Sequence, residues 1–585
     1  MVRGISESLF TIAPMPFYNR VQALLAQRSL GANLLRLLTL LALGAALLIA
    51  WRWFWFLTDD AFITFRYIDH HRRGWGYTWN PPPFAPVEGY SNFLWMVLLQ
   101  AIWAVTGAAP PASANVVSLL LSFGSVALAF VTAWRMPLPP RWQPLRFWVA
   151  VLVLVYAISN RTFVTWTSSG LETALFGFCV ALWVLGVLEV GRTRDWRWLL
   201  VASVGASTTA LTRPDGLLLV LATGALGVYH AGVAGGFSPA TPARRTILVR
   251  TLVGLAPLLA IPVHLLWRHA YYGMWVPNTF YAKQVSEWPD AGVRYTESFI
   301  LEYALWAPLL VALVLLGIRL VRMEREGVPP NRLLSAVPAA LIIATFAAHV
   351  IYYTLVIGGD HFEYRVFAYL IIPIGLGLAH VVANLPIRPA LGISVFALCT
   401  AVALPIPWIH YARTRDINTR GETFKLTVPV ADAFPPGPLR EYVRAFDRLQ
   451  RWMLMRHVGA RHQEHKVFFL FQQTLFPSRE EGQKISWSER ALFDMTTVGL
   501  PGWNLPEVAI IDFFGLNDKV VARTPVTSTP PMRLMAHERN PPPGYIDCFL
   551  PNFALDGPRI LPRKPRPAPL TDQLIHECET RFAPP

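Results

Sequence analysis

The feature that most limits what this chain can become is a series of apolar runs long enough to cross a bilayer. A transmembrane helix needs roughly 20 apolar residues, because the hydrocarbon core is about 30 Å thick and each helical residue rises about 1.5 Å. Runs near that length occupy 34–57, 91–107, 114–134, 147–165, 171–190, 197–212, 214–230, 248–269, 299–320, 335–357, 366–384 and 389–408. With 54% of residues hydrophobic and 15% charged, the chain reads as a polytopic α-helical membrane protein.

The formal charge of +15 does not point to nucleic acid. Its basic residues gather in short clusters between apolar runs, "RTRDWR" at 192–197, "RRTILVR" at 244–250, "RLVRMERE" at 319–326 and "IRP" at 387–389. Such clusters mark cytoplasmic loops, and no nucleic-acid partner is expected. The first residues, with Arg3, Arg20, Arg28 and Arg36 against Glu7, lack the short apolar region and small-residue cleavage site of a removable signal. Residues 1–33 therefore read as a cytoplasmic tail. Keeping these clusters on that side lets only an odd number of the first four segments after 57 cross; the cleanest solution also makes 135–146, with Arg135, Arg141 and Arg146, cytoplasmic, so that 91–107 and 114–134 cross only once between them, one being short or re-entrant. About eleven crossings result, which leaves the C-terminal tail outside.

From His410 onward the chain turns polar and proline-rich. The runs "KVFFLF" at 466–471 and "EVAIIDFFG" at 507–515 predict strands, hence a small soluble α/β domain over 410–585. Cys548 and Cys578 in this tail can pair if it faces an oxidising compartment, whereas Cys179 and Cys399 lie in apolar runs as packing residues. His457, His462 and His465 read as a solvated helix face. No solenoid or inverted repeat is visible.

On this topology the unusual polar stretches share one face. They are Asp59 and Asp60, "NPPPFAPVEGYSNFLW" at 80–95, "WTSSGLE" at 166–172, "LTRPDG" at 211–216, "VPNTFYAK" at 276–283 and "GGDHFEYR" at 358–365. The first outer loop, 58–90, carries Asp59, Asp60, Arg66, Asp69 and Glu88 among aromatics and predicts one or two interfacial helices. A carboxylate there can take the proton of a hydroxyl attacking an anomeric carbon, while its neighbour orients the acceptor or shares a divalent cation. "TDDAFITF" is also a helix start, capped by Thr58 or Asp59. A phosphate leaving group needs positive charge, which Arg66, Arg213, Lys283 and Arg365 offer; a salt bridge to Asp215 is the competing role for Arg213. Asp360 and His361, behind a glycine pair, are candidate ligands for Mg²⁺, Mn²⁺ or Ca²⁺. Glu88, Tyr90, Asn92, Glu172, Asp215 and Asn278 complete the candidate substrate contacts.

"DDAFITFRY", "GWGYTWNPPPFAPVEGYSNFLW", "SGLETALF", "LTRPDGLLL", "PNTFYAK", "GGDHFEYRVF" and "IDFFGLND" resemble, in order, the bacterial GT-C glycosyltransferases of the AftB-like arabinofuranosyltransferase family. The resemblance implies a GT-C transmembrane catalytic domain over 34–409 in the bacterial cytoplasmic (inner) membrane. It implies an active site and C-terminal domain on the periplasmic or extracytoplasmic side. The implied donor is a polyprenyl-phosphate sugar, with D-arabinofuranose the sugar the family name carries, and the implied acceptor a hydroxyl of a cell-envelope glycan or protein. In that family an acid of the first outer loop is the base, which maps onto Asp59 or Asp60, and Glu88, Glu172 and Arg213 match a loop-end glutamate, a later acid and a phosphate-binding cation. The rival reading is a transporter or flippase for a lipid-linked sugar, which should place its charges near the bilayer midplane and show repeats.

Overall fold

The first apolar run forms helix α1, Leu30–Trp53, whose Leu37 and Leu41 are more than half exposed, as a lipid-facing surface requires. The computed structural model of the protein describes residues 30–235, 242–326, 330–423, 427–484, 492–526, 533–556, 559–562 and 570–583. Most of the expected cytoplasmic tail, residues 1–29, lies outside the described residues. After α1 come α2 (Asp59–Arg72), α3 (Phe93–Thr106), α4 (Pro110–Arg135), α5 (Arg146–Ser159), α6 (Thr173–Thr193), α7 (Trp196–Thr212) and α8 (Leu217–Gly235). There follow α9 (Pro242–Leu255), α10 (Ala260–Tyr272), α11 (Asn278–Lys283), α12 (Pro289–Glu302), α13 (Trp306–Glu326), α14 (Pro330–Tyr352), α15 (Ile371–Asn384), α16 (Pro389–Val402) and α17 (Pro405–Thr414).

Among the described residues ten helical stretches are long and apolar enough to cross a bilayer by length and composition. Helix α7, at 17 residues and so about 25 Å, makes an eleventh passage. Its start lies near Arg194, which meets His230, and its end at Arg213 meets Glu172, so it joins two opposite faces. Contacts define both. Arg135 binds Glu189 at 2.7 Å on one face, and Thr58 pairs with Ser169 at 3.0 Å on the other, which also bears the tail. Both ends of α3 lie on the tail-bearing face, with Asn92 against Glu172 and Trp103 against Trp503. The expected short segment is thus α3, and α4 runs through.

The interior is held by close helix approach. A Cβ added at Gly186 would lie 2.6 Å from the Ala202 nitrogen, and one at Gly205 would lie 2.8 Å from the Trp183 nitrogen, so small residues let α6 and α7 touch backbone to backbone. Trp183, Ala202 and Ala206 are fully buried at this seam.

The tail contains α18 (Pro438–Leu454), α19 (His462–Leu475), α20 (Gly499–Asn504) and α21 (Asp572–Phe582). Strands β1 (Leu492–Met495) and β2 (Ala509–Asp512) pair in parallel, and β3 (Phe553–Asp556) and β4 (Arg559–Pro562) pair antiparallel. The strand expected in "EVAIIDFFG" is β2. The one expected in "KVFFLF" is instead part of α19, whose buried His462, His465, Phe469 and Gln472 follow a helical period. His462 and His465 are therefore not solvated: Phe54 and Phe56 of the first span's end pack on His462. Cys548 and Cys578 form a disulfide, and Cys179 and Cys399 are free and buried.

Candidate functional site

The first outer loop begins with a capped helix. Thr58 is the N-cap of α2, its hydroxyl accepting from the Ala61 N–H at 3.3 Å, which puts Asp59 and Asp60 at the first helical positions with different surroundings. Asp59 turns toward the tail and accepts from the N–H groups of Gly499 (3.1 Å) and Leu500 (2.7 Å). Burial pushes its carboxyl up to about 6, against the lowering effect of the Leu500 N–H. Asp60 opens into a cleft and makes no hydrogen bond or ion pair among the described residues. The surrounding protein raises its pKa by desolvation; Lys283, Arg365 and His537 face it and oppose the rise, and Asp360 adds to it.

Lys283 sits at the end of α11, open to the same cleft and also without an ion pair among the described residues. Desolvation and then Arg365 lower its pKa, while Asp60 and Asp360 raise it. Arg365 binds Asp360 through Nε (2.9 Å) and Nη2 (3.2 Å) and lies 4.3 Å over the Phe362 ring. The chain reaches Asp360 through Gly358 and Gly359, both at positive φ, where added Cβ atoms would come within 2.8 Å of Trp288 and of Tyr295.

The back wall is a carboxylate-arginine network. Arg213 donates from Nη1 to Glu172 (2.9 Å), from Nε and Nη2 to Asp215 (3.0 and 2.8 Å), and from Nη2 to Tyr353 (3.2 Å). Tyr353 donates to Asp215 at 3.0 Å from a π-helical turn, Tyr353–Ile357, that ends α14. Asn92 donates to Glu172 at 3.2 Å, so it belongs to this wall. Burial pushes Glu172 up, but Arg213 and Arg365 outweigh it and hold the carboxyl below the usual range. Arg213 thus spends most of its donors on protein partners, the salt bridge to Asp215 among them, and Lys283 and Arg365 are the freer cations.

Other candidates are taken up by protein partners. Arg66 is fully buried and donates to the carbonyls of Trp79 (2.6 Å), Gly502 (2.6 Å), Leu505 (3.2 Å) and Val508 (2.7 Å), so it fastens the tail to the first loop and is not a substrate contact. Glu88 is buried against Arg268 at 2.7 Å, its pKa pushed up to about 7 by desolvation. Tyr90 bonds Tyr272, and Asn278 is buried among tail carbonyls. Asp360 gives both oxygens to Arg365, and the His361 Nδ1 meets the His457 carbonyl at 2.9 Å. Among the described residues no group of three or more His, Cys, Asp or Glu is set to hold a metal ion. The arrangement does not fit the cation site expected at Asp360 and His361.

Three features escaped the sequence. Tyr353 lies in an apolar run with nothing to mark it. His537 comes from the distant tail and joins His361 and His457 at ring separations of 5.3 and 5.5 Å. A second cluster, Arg161, Glu302, Glu363 and Arg461, is wholly buried between the spans and the tail, with Arg461 bridging Glu302 (2.8 Å) and Glu363 (3.0 Å). A separate cavity of about 660 Å³ lies beyond Leu57 and Phe62, lined by Trp55, Phe469, Gln473 and Trp503. Its charged residues are engaged by protein partners, Glu481 by the Ser478 N–H and Arg479 by Asp69.

No family model and no curated protein matches the chain. Among solved structures, ArnT from Cupriavidus metallidurans bound to undecaprenyl phosphate is similar over 80% of this chain and 85% of its own, with 13% identity and a TM-score of 0.40. The arabinosyltransferase EmbB from Mycobacterium smegmatis is similar over 74% of this chain, with 12% identity and a TM-score of 0.34. The chain spans 42% of the length of EmbB. Scores this low carry no weight for function, which rests on the cleft.

Proposed function

We propose that the protein is an integral membrane glycosyltransferase of GT-C type that moves a sugar from a polyprenyl phosphate to a hydroxyl of a glycan or protein, on the membrane face that bears its tail. The observation that carries this reading is the cleft itself: the Asp60 carboxylate and the Lys283 ammonium, neither with an ion pair among the described residues, act on one another's charge where the spans end. A base and a phosphate-binding cation are the two groups that transfer from a lipid phosphate demands.

In this reading Asp60 accepts the proton of the acceptor hydroxyl as its oxygen bonds to the anomeric carbon. The bond from that carbon to the phosphate oxygen breaks, and its electron pair leaves with the polyprenyl phosphate. Lys283 and the free donors of Arg365 meet the charge that develops there. Asp59 anchors the helix start by holding the tail, and Glu172, Arg213, Asp215 and Tyr353 keep the wall rigid. A D-arabinofuranosyl donor is the specific sugar we infer, on the strength of the sequence resemblance. The Cys548–Cys578 disulfide supports a tail outside the cytoplasm, since such bonds persist in oxidising compartments.

The test is purified full-length protein supplied with synthetic polyprenyl-phosphate pentoses and hexoses. Acceptor-dependent release of polyprenyl phosphate is the expected result. Movement of intact donor between leaflets of a vesicle, with no release, would replace the transferase by a flippase.

A further inference from the structure

Lys283 stands on a helix of only six residues, which has little stability of its own. What holds it is the tail. At the start of α11, the Asn278 side chain is fully buried and donates to the carbonyls of Gly515 (2.9 Å), Leu516 (3.1 Å) and Asp518 (3.1 Å). Its own carbonyl oxygen accepts from Arg523 Nη1 at 3.1 Å, and the Arg523 guanidinium lies 4.0 Å over the Tyr281 ring. At the other end Arg539 donates to the carbonyls of Tyr281 (3.1 Å), Ala282 (3.3 Å) and Gln284 (2.6 Å), and its Nη1 to that of Thr524. The last carbonyls of a helix have no partner within it, so a guanidinium there satisfies them and suits the negative end of the helix dipole. Arg533, on the same tail segment, donates to the carbonyls of Ser286 (2.7 Å) and Glu287 (3.3 Å) and lies 4.4 Å over Trp288.

The short helix that carries Lys283, which has no ion pair among the described residues, is therefore gripped at both ends by residues more than 200 positions away. The neighbouring anchors have no comparable need of it: Asp60 starts a 14-residue helix, and Arg365 is fixed by Asp360.

We infer that Arg523 and Arg539 of the tail are positioning residues for Lys283, so that the tail is a working part of the donor-phosphate site and not only a cover over it. The inference rests on the transferase reading for what Lys283 does, but not for where it is held.

Two measurements on full-length protein separate the two. The first is the pH profile of Lys283 methylation by formaldehyde and cyanoborohydride, followed by mass spectrometry. In the wild type the amine should react at lower pH than an ordinary lysine, as its lowered pKa requires. Arg539→Ala should return it toward the ordinary profile near pH 10.4, and Arg539→Lys should lie between. The second is binding of a sugar-free polyprenyl phosphate. Arg539→Ala should weaken it about tenfold, with no further loss when Lys283→Met is added, because paired effects through one group are not additive. An unchanged methylation profile in both Arg539 variants would overturn the inference, as would fully additive losses in the double variant. A shifted profile in a protein that binds no polyprenyl phosphate even as wild type would leave the positioning intact and remove the transferase reading instead. If Arg539→Ala does not fold, Arg523→Lys, which keeps charge while losing the fork, carries the same expectations.

Discussion

Two arginine–carboxylate clusters lie at the same end of the spans, and they differ in what is left unpaired. In the buried one, Arg161 and Arg461 share Glu363, Arg461 also binds Glu302, and all four side chains are at most 1% exposed. Both Glu363 oxygens are used, and although burial pushes its pKa up, Arg161 and Arg461 hold it well below the usual range. In the cleft, Arg213 and Arg365 are paired in the same manner but remain 13% and 11% exposed, and Asp60 and Lys283 stand beside them with no partner among the described residues. Charge that is fully matched and dry joins domains, whereas charge that is matched only at the edges and open at the centre is arranged for something that arrives.

The strongest way to break this contrast is Glu363→Gln, which takes from the buried Arg161 its only carboxylate and leaves Arg461 with Glu302 alone. It should cost about 3–5 kcal/mol of stability, read as a lowered midpoint in thermal or denaturant unfolding, and activity should fall only as folded protein is lost. An unchanged midpoint would show that the buried cluster is no more structural than the cleft. Asp60→Asn should do the opposite, leaving unfolding unchanged while turnover drops by roughly 10²–10⁴. Equal turnover in wild type and Asp60→Asn would move the base to Asp59 or elsewhere.

Smaller effects sharpen the comparison. Lys283→Met should weaken donor binding by about 1.5–3 kcal/mol, the worth of a hydrogen bond to a charged group. It should also move the acid limb of kcat/KM. Asp60 must be ionised to act as base, and its raised pKa puts the wild-type limb above that of an ordinary aspartate. Lys283 favours the ionised form, so its removal lifts the pKa further and the limb shifts to higher pH. A limb that stays in place or moves down would mean that Asp60 and Lys283 do not share a site.

The apolar runs, the single crossing shared by 91–107 and 114–134, and the gathering of polar stretches at one face were all legible without coordinates. The bilayer imposes a length of roughly 20 residues and a side for basic loops, and both are local properties of the chain. The same local reading placed Thr58 as a possible cap and Asp60 as a candidate base. Whether Asp59 or Asp60 stays free was not local, because the two Asp59 partners, Gly499 and Leu500, lie about 440 residues on. Arg66 looked like an open cation for the same reason, its carbonyl partners lying as far as 442 residues away. "KVFFLF" has the composition of a strand, but it lies within a helix whose Phe469 stacks on Phe62 of α2, a partner about 400 residues back that no local pattern names. The tertiary structure alone brought His537 to the cleft and bound α11 at both ends, since a six-residue helix has no local pattern that fixes where its lysine points.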